Sequence, residues 1–176
     1  LCLMTAHIAN GGYKIKPKIL TDENQITSEQ VKKAMKENNI NKSYQPLFDN
    51  FKNIKIIQEA MFSSTNELRG TSYKSRIEDP KYQFAGKTGT AQVKRISKRE
   101  RELDLETSQI PYKERDHALY VAFGPYKNPR YSLSIIVEHG GSGSSTAAPM
   151  ATKLFKLIID RHFERKKIKD FKEFNI

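Results

Sequence analysis

The tetrapeptide Lys87-Thr88-Gly89-Thr90 places a cation, two hydroxyls and a residue without a Cβ in consecutive positions. That combination suits a ligand rich in acceptors, because an ammonium and hydroxyls can donate together to one carboxylate or carbonyl. The surrounding run Tyr82 to Val93 reads as an extended strand, whose period of two puts Thr88 and Thr90 on one face and Lys87 with Gly89 on the other. To act beside the hydroxyls, the lysine must curl round the strand edge. Gly89 lets a ligand backbone come close, and an edge strand would offer unpaired amides to an added peptide strand. A solvated strand end is the ordinary reading of so short a string, so its neighbours decide.

Three later elements must position this strand. His117 to Gly124 is apolar on both parities, with Leu119, Val121 and Phe123 alternating with Ala118, Tyr120 and Ala122, as in a central strand covered on both faces. Pro125, Asn128 and Pro129 form a turn, and Tyr131 to Glu138 is the second arm of a hairpin with Tyr131, Leu133, Ile135 and Val137 on one face. Gly140-Gly141-Ser142-Gly143 then breaks the chain before a helix from about Ala147 to about His162, carried by Ala151, Leu154, Phe155 and Ile158. Upstream, Leu1, Met4 and Ile8 follow helical spacing with no cap before them, a capped helix starts near Thr27, and Ile54, Ile57, Met61 and Leu68 mark a helix ending at Gly70. The polar stretch Lys36 to Asn53 is an irregular connection. Residues 1–80 are thus mainly helical, 81–140 hold three antiparallel strands, and 147–162 form the C-terminal helix.

Other residue types point to less. A chain of 176 residues with a net charge of +11 invites a nucleic-acid or membrane reading. Lysine is spread along the whole chain with isoleucine and asparagine, however, and no aromatic platform for bases is evident, so no nucleic-acid partner is expected. The basic stretch Arg161 to Lys172 also carries Glu164 and Asp170 and reads as an exposed helix end. His7, His117, His139 and His162 stand alone in sequence, so packing is expected rather than a metal site, and no cofactor is called for. Cys2, the only cysteine, cannot close an internal disulfide. No apolar run approaches the about 20 residues that span a bilayer. The charged run Lys94 to Glu114 is far longer than a hairpin needs, and reads equally as a functional loop or a solvated excursion.

Taken in order, these strings resemble a known family. Ala85-Gly86-Lys87-Thr88-Gly89-Thr90-Ala91-Gln92, Arg115-Asp116-His117-Ala118-Leu119, Phe123-Gly124-Pro125-Tyr126 with Asn128-Pro129, and Glu138-His139-Gly140-Gly141 look like the C-terminal part of a class B penicillin-binding protein transpeptidase domain, nearest the elongation type, penicillin-binding protein 2. Met4 to Gly12 is similar to the family helix upstream of the Lys-Thr-Gly strand, and Gly70-Thr71-Ser72 to its Gly-Thr-Ala turn. The resemblance implies an α+β fold of the β-lactamase and transpeptidase kind, an antiparallel sheet with helices packed on it. The family nucleophile is the serine of a Ser-x-x-Lys motif, and no serine here has a lysine three residues on. The family places that motif, a Ser-x-Asn motif and a membrane anchor upstream, so this chain is expected to be an inactive fragment by itself. Ser64-Thr65-Asn66 matches Ser-x-Asn formally but sits in a helical pattern and reads as coincidence. Tyr126-Lys127-Asn128 likewise serves a turn.

By the resemblance, Lys87 supplies positive charge and supports proton movement, Thr88 and Thr90 hold the terminal carboxylate of a D-alanyl-D-alanine stem peptide, and Gly89 completes the substrate-binding strand. The Thr90 N–H is one oxyanion-hole donor. The implied reaction is serine acyl transfer that cross-links peptidoglycan during rod-type elongation, with β-lactams as donor mimics. The implied partners are a membrane glycosyltransferase of the SEDS type and elongation scaffold proteins, at the periplasmic face of the inner membrane. In that family the loop at Lys94 to Glu114 borders the mouth of the site. A D,D-carboxypeptidase or β-lactamase, and a non-catalytic remnant of a split gene, are the alternatives.

Overall fold

The computed structural model describes residues 1–15, 17, 46–95, 102 and 105–173, with side chains through Glu164. The helix expected near Thr27, and most of the stretch Lys36 to Asn53, lie outside the described residues. Within them the elements are α1 (Cys2–Ala9), α2 (Phe51–Asn66), β1 (Ala85–Ala91), β2 (His117–Gly124), β3 (Tyr131–Val137) and α3 (Ala148–Glu173).

The three described strands form one antiparallel sheet in the order β1-β2-β3. Ala85 pairs with Phe123 and Ala91 with His117 at the ends of the first ladder, and Tyr120 pairs with Ile135 in the second. β2 is therefore central, and its two apolar parities face two different layers. Ala118, Tyr120 and Ala122 point to α3, where they pack with Phe84, Ala148, Ala151, Phe155 and Ile159. Phe123 and Val121 point to the other face, with Ala85 and Met61 of α2 and Ile8 and Ala9 of α1. Phe84 and Phe155 stack at 4.8 Å between centroids and anchor the α3 side. Tyr131, Leu133, Ile135 and Val137 lie on that side as the alternation required. The fold is α+β.

The helices differ from their sequence reading in phase and length. α3 is preceded by a π-helical turn over Gly143–Ala147 and runs on to Glu173, past the expected end at His162. Its buried stripe is Ala148, Ala151, Phe155 and Ile159, while Leu154 is exposed. Ala151 and Phe155 are buried as their spacing indicated, and from Phe155 the stripe continues to Ile159 rather than Ile158, both of which follow it at helical spacing. α2 is capped by Asn50, whose side chain accepts from the Lys52 N–H at 3.0 Å. It stops at Asn66 rather than Gly70, because Ser72 donates both its N–H and its hydroxyl to the Ser64 carbonyl at 3.0 Å. That bond turns the chain back on the helix, and Leu68 is left 80% exposed.

The β2–β3 turn and the end of α3 are tied together by side chains. The His162 ring lies between Arg130 Nη1 at 2.6 Å and the Tyr131 hydroxyl at 2.8 Å. Arg130 can only donate, so His162 Nε2 accepts and Nδ1 carries the proton towards Tyr131. Near the other end of the sheet's lead-in, Tyr82 donates to Asp160, and Lys81 sits 3.3 Å from the same carboxylate.

Candidate functional site

β1 is the edge strand, and the direction of its polar groups follows from one contact. The Gly86 N–H donates to Thr65 Oγ1 at 3.1 Å, and the Thr65 hydroxyl is within 3.5 Å of the Gly86 carbonyl. Thr65 stands on α2, on the side away from β2, so both main-chain groups of Gly86 point outward. Period two then turns the N–H and C=O of Thr88 and Thr90 outward as well. The strand thus presents Thr88 and Thr90 amides along its open edge.

The side chains arrange themselves around that edge. Lys87 does curl round it: its Nζ donates to the Thr88 carbonyl at 2.9 Å and approaches the Thr88 hydroxyl at 3.4 Å. Thr71 Oγ1 lies 3.4 Å from Thr88 Oγ1, and Ser64 Oγ lies 3.1 Å from Thr71 Oγ1. One ammonium and three hydroxyls, from Lys87, Thr88, Thr71 and Ser64, therefore form a continuous line of donors at the surface. Thr90 is exposed further along the strand. Gly89 lies against the turn that opens α3, where a Cβ on Gly143 would collide with the backbone of Gly89 and Leu119. All four of Lys87, Thr88, Gly89 and Thr90 sit on this one edge strand.

Beneath the edge is a buried hydroxyl ring. Thr65 is 3.0 Å from the Tyr120 hydroxyl and 3.3 Å from Ser72 Oγ, and Ser72 Oγ is 3.0 Å from Tyr120. Burial pushes the Tyr120 phenol up, with Ser72 and Thr65 pulling the other way through their hydrogen bonds. It is a neutral hydrogen-bonding group. Any side chain on Gly86 would run into the Tyr120 hydroxyl and ring, which is why the strand opens on Ala85-Gly86. Asn66 adds a bond from Nδ2 to the Phe84 carbonyl at 2.9 Å. Ser64-Thr65-Asn66 is helical, as its periodicity indicated, and its Thr65 and Asn66 side chains brace β1. The signal for this was a hydroxyl at Thr65, four residues after Met61 and on the same apolar stripe.

The histidine-bearing strings brace the opposite end of β1. His117 and His139 do not stand alone: their rings are 4.8 Å apart, and the His139 N–H donates to His117 Nδ1 at 2.9 Å. His139 Nδ1 faces the Arg115 carbonyl at 3.1 Å, so that nitrogen carries the proton. These two bonds hold His139 at a left-handed φ of 55°. The Asp116 carbonyl accepts from Gly141, its carboxylate accepts from the Val93 N–H, and Lys94 pairs with Glu114 at 2.7 Å. The two ends of the Lys94 to Glu114 loop are therefore tied to each other beside the sheet. Among the described residues no group of three His, Cys, Asp or Glu side chains is placed to hold a metal ion. A shallow depression lined by Ala6, Ala9, Pro129 and Tyr131 lies at the β3 edge, across the sheet from Lys87.

A family model for the penicillin-binding protein transpeptidase domain matches residues 2–156. The chain belongs to this family. It is 37% identical over 105 residues to the peptidoglycan D,D-transpeptidase MrdA of Salmonella typhimurium, covering 60% of the chain and 16% of that protein. The fold is similar to that of penicillin-binding protein PBP2 in its complex with MreC from Helicobacter pylori, with a TM-score of 0.66 at 24% identity over 92% of this chain and 24% of that one. Pseudomonas aeruginosa PBP2, solved with WCK 5153, aligns with a TM-score of 0.55 at 28% identity over 87% of this chain and 28% of that one. The transpeptidase-family segment described here thus spans about one sixth of the MrdA relative. Among the described residues no helix is long and apolar enough to cross a membrane.

Proposed function

We propose that this chain forms the C-terminal part of a peptidoglycan D,D-transpeptidase of the elongation type, and that β1 is the strand on which the acyl donor lies. The observation that carries this reading is the convergence of the Lys87 ammonium with the Thr88 and Thr71 hydroxyls at an open edge whose Thr88 and Thr90 amides face outward. An ammonium with hydroxyls beside outward-facing amides fits a peptide ending in a carboxylate. Lys87 neutralises that carboxylate and supports proton movement, Thr88 and Thr90 donate to it, Gly89 permits close approach, and the Thr90 N–H faces the developing oxyanion.

In this family reading the nucleophile is the serine of a Ser-x-x-Lys motif, which these 176 residues do not contain. Serine attacks the penultimate D-alanyl carbonyl, D-alanine leaves, and an amine from a second stem peptide resolves the acyl-enzyme. β-Lactams enter as donor mimics. The partners are a membrane glycosyltransferase and an elongation scaffold of the MreC kind, at the periplasmic face of the inner membrane, and the MreC complex of the similar Helicobacter pylori protein supports the scaffold reading. Lys87→Ala in the complete transpeptidase tests the assignment through its penicillin acylation rate. At least a hundredfold loss is expected on removing the cation at a charge-stabilising site, of about 10² or more. Acylation at the wild-type rate sinks it.

A further inference from the structure

We propose that Thr65, backed by Ser72 and Tyr120, is a stop built into the binding edge: it limits how far an added peptide strand can run along β1 and so selects a chain terminus over a chain interior. The proposal rests on the reading of β1 as the donor-binding strand.

The outward-facing groups of this edge are used up in order from its N-terminal end. Asn66 takes the Phe84 carbonyl, Thr65 takes the N–H of Gly86 and covers its carbonyl, and Lys87 takes the carbonyl of Thr88. Among the described residues, what remains open is the Thr88 N–H and both groups of Thr90. A peptide strand laid against Thr90 and Thr88 cannot continue towards Phe84 without displacing two side chains of α2. At that point it meets the Lys87 ammonium, which only donates, with the hydroxyls of Thr88 and Thr71 beside it, a setting that suits an anionic end group. A free C-terminal carboxylate carries the charge that the ammonium neutralises, and a continuing peptide bond carries none.

The stop is rigid. Thr65 is fully buried, and its hydroxyl is held from three directions by Gly86, Ser72 and Tyr120. Tyr120 is itself fully buried on the central strand, and Gly86 has no side chain that could lift β1 away from it. Thr65 touches no reacting atom in this account; it is a specificity-determining residue that acts through the strand edge.

The test uses the complete transpeptidase carrying these residues and two probes: a stem pentapeptide ending in D-alanyl-D-alanine with a free carboxylate, and the same peptide extended by two glycines. The readout is the ratio of their kcat/KM values. Thr65→Ala frees the Gly86 groups for an extended ligand, so the preference for the free terminus is expected to narrow by about tenfold, the worth of one hydrogen bond. Thr65→Ser restores the hydroxyl and keeps the wild-type ratio. A folded Thr65→Ala enzyme with an unchanged ratio overturns the proposal. Should Thr65→Ala fail to fold, amide exchange in the wild type decides: Gly86 is expected to be protected while Thr88 and Thr90 exchange freely, and equal exchange of Gly86 and Thr88 also overturns it. Lys87→Ala, assayed alongside, separates the two readings. If it acylates normally the donor-strand assignment fails; if it is slow while Thr65→Ala leaves the ratio unchanged, only the stop fails.

Discussion

On the proposed reading Lys87 and the two threonines divide the work of the edge between side chain and backbone, and substitution can tell the two apart. Thr88→Val keeps the β-branched shape and removes one hydroxyl beside the Lys87 ammonium. In the complete enzyme it is expected to weaken acylation by about 1.5 to 3 kcal/mol, the usual worth of a hydrogen bond to a charged group, read from the acylation rate of a labelled penicillin. Thr90 contributes its main chain. Thr90→Ser should therefore retain much of the activity, while Thr90→Pro removes the N–H and should lower the rate by about 10²- to 10³-fold. Because β1 is an edge strand and the Thr90 N–H faces away from β2, proline there breaks no ladder bond, and circular dichroism should show an intact fold. A folded Thr90→Pro enzyme acylating at full rate would show that this amide plays no part in the chemistry.

Between elements, close contacts do what single residues cannot. β1 is pressed on the Tyr120 hydroxyl through Gly86, so Gly86→Ala should destabilise the fold by about 1 to 3 kcal/mol through overpacking. Tyr120→Phe in the same background should return part of that loss by removing the overlapping oxygen. Additive losses in a thermal-melt cycle of the four proteins would rule out the contact as the cause. α3 is held to the lead-in of β1 by a different device. The Asp160 carboxyl is kept below the usual carboxylate range, first by the Tyr82 hydroxyl and then by Lys81. A lowered folded-state pKa means that this contribution is complete above the ordinary carboxylate value of about 4 and fades as pH falls through the lower folded value. Asp160→Asn should therefore melt earlier than wild type at pH 7 and converge with it in strong acid. A difference that stays constant down to that range counts against the clamp.

At the scale of the molecule, the described residues leave much apolar surface in solvent. Leu1 before α1, Leu3 and Met4 on it, Ile57 on α2 and Ile136 on β3 are all more than a third exposed. The match covers 16% of the MrdA relative, and the chain carries no Ser-x-x-Lys, so on the proposed reading it holds a donor edge without the family nucleophile. Incubated alone with a labelled penicillin, these 176 residues should form no covalent adduct in intact-protein mass spectrometry. An adduct mapping to any of their serines would overturn the division of the site. The core on the α3 side is the best-packed part, and Phe155→Ala, which empties the stack on Phe84, should cost about 3 to 5 kcal/mol by denaturant unfolding of the complete protein.

The order of elements, the central place of β2, the inward face of β3 and the location of the donor cluster were legible in the residues alone. Alternation and turn chemistry are local, and local rules suffice for them. The far end of the α3 stripe was not, because Ile158 and Ile159 both follow Phe155 at helical spacing and the position of the sheet decides which of them is covered. Nor was the end of α2, which is set by Ser72 returning to the Ser64 carbonyl. The role of Thr65 lay equally out of reach. Its hydroxyl sits 21 residues from Gly86 and 55 from Tyr120 along the chain, and only the packing of α2 against the sheet brings the three together. The pairing of His117 with His139 has the same origin, since the β2–β3 hairpin alone sets them side by side. Residue types and spacing determined which groups this protein presents at its edge. Tertiary packing decided which of those groups are already occupied, because a hydrogen-bonding group is open or closed only by what the rest of the fold places against it.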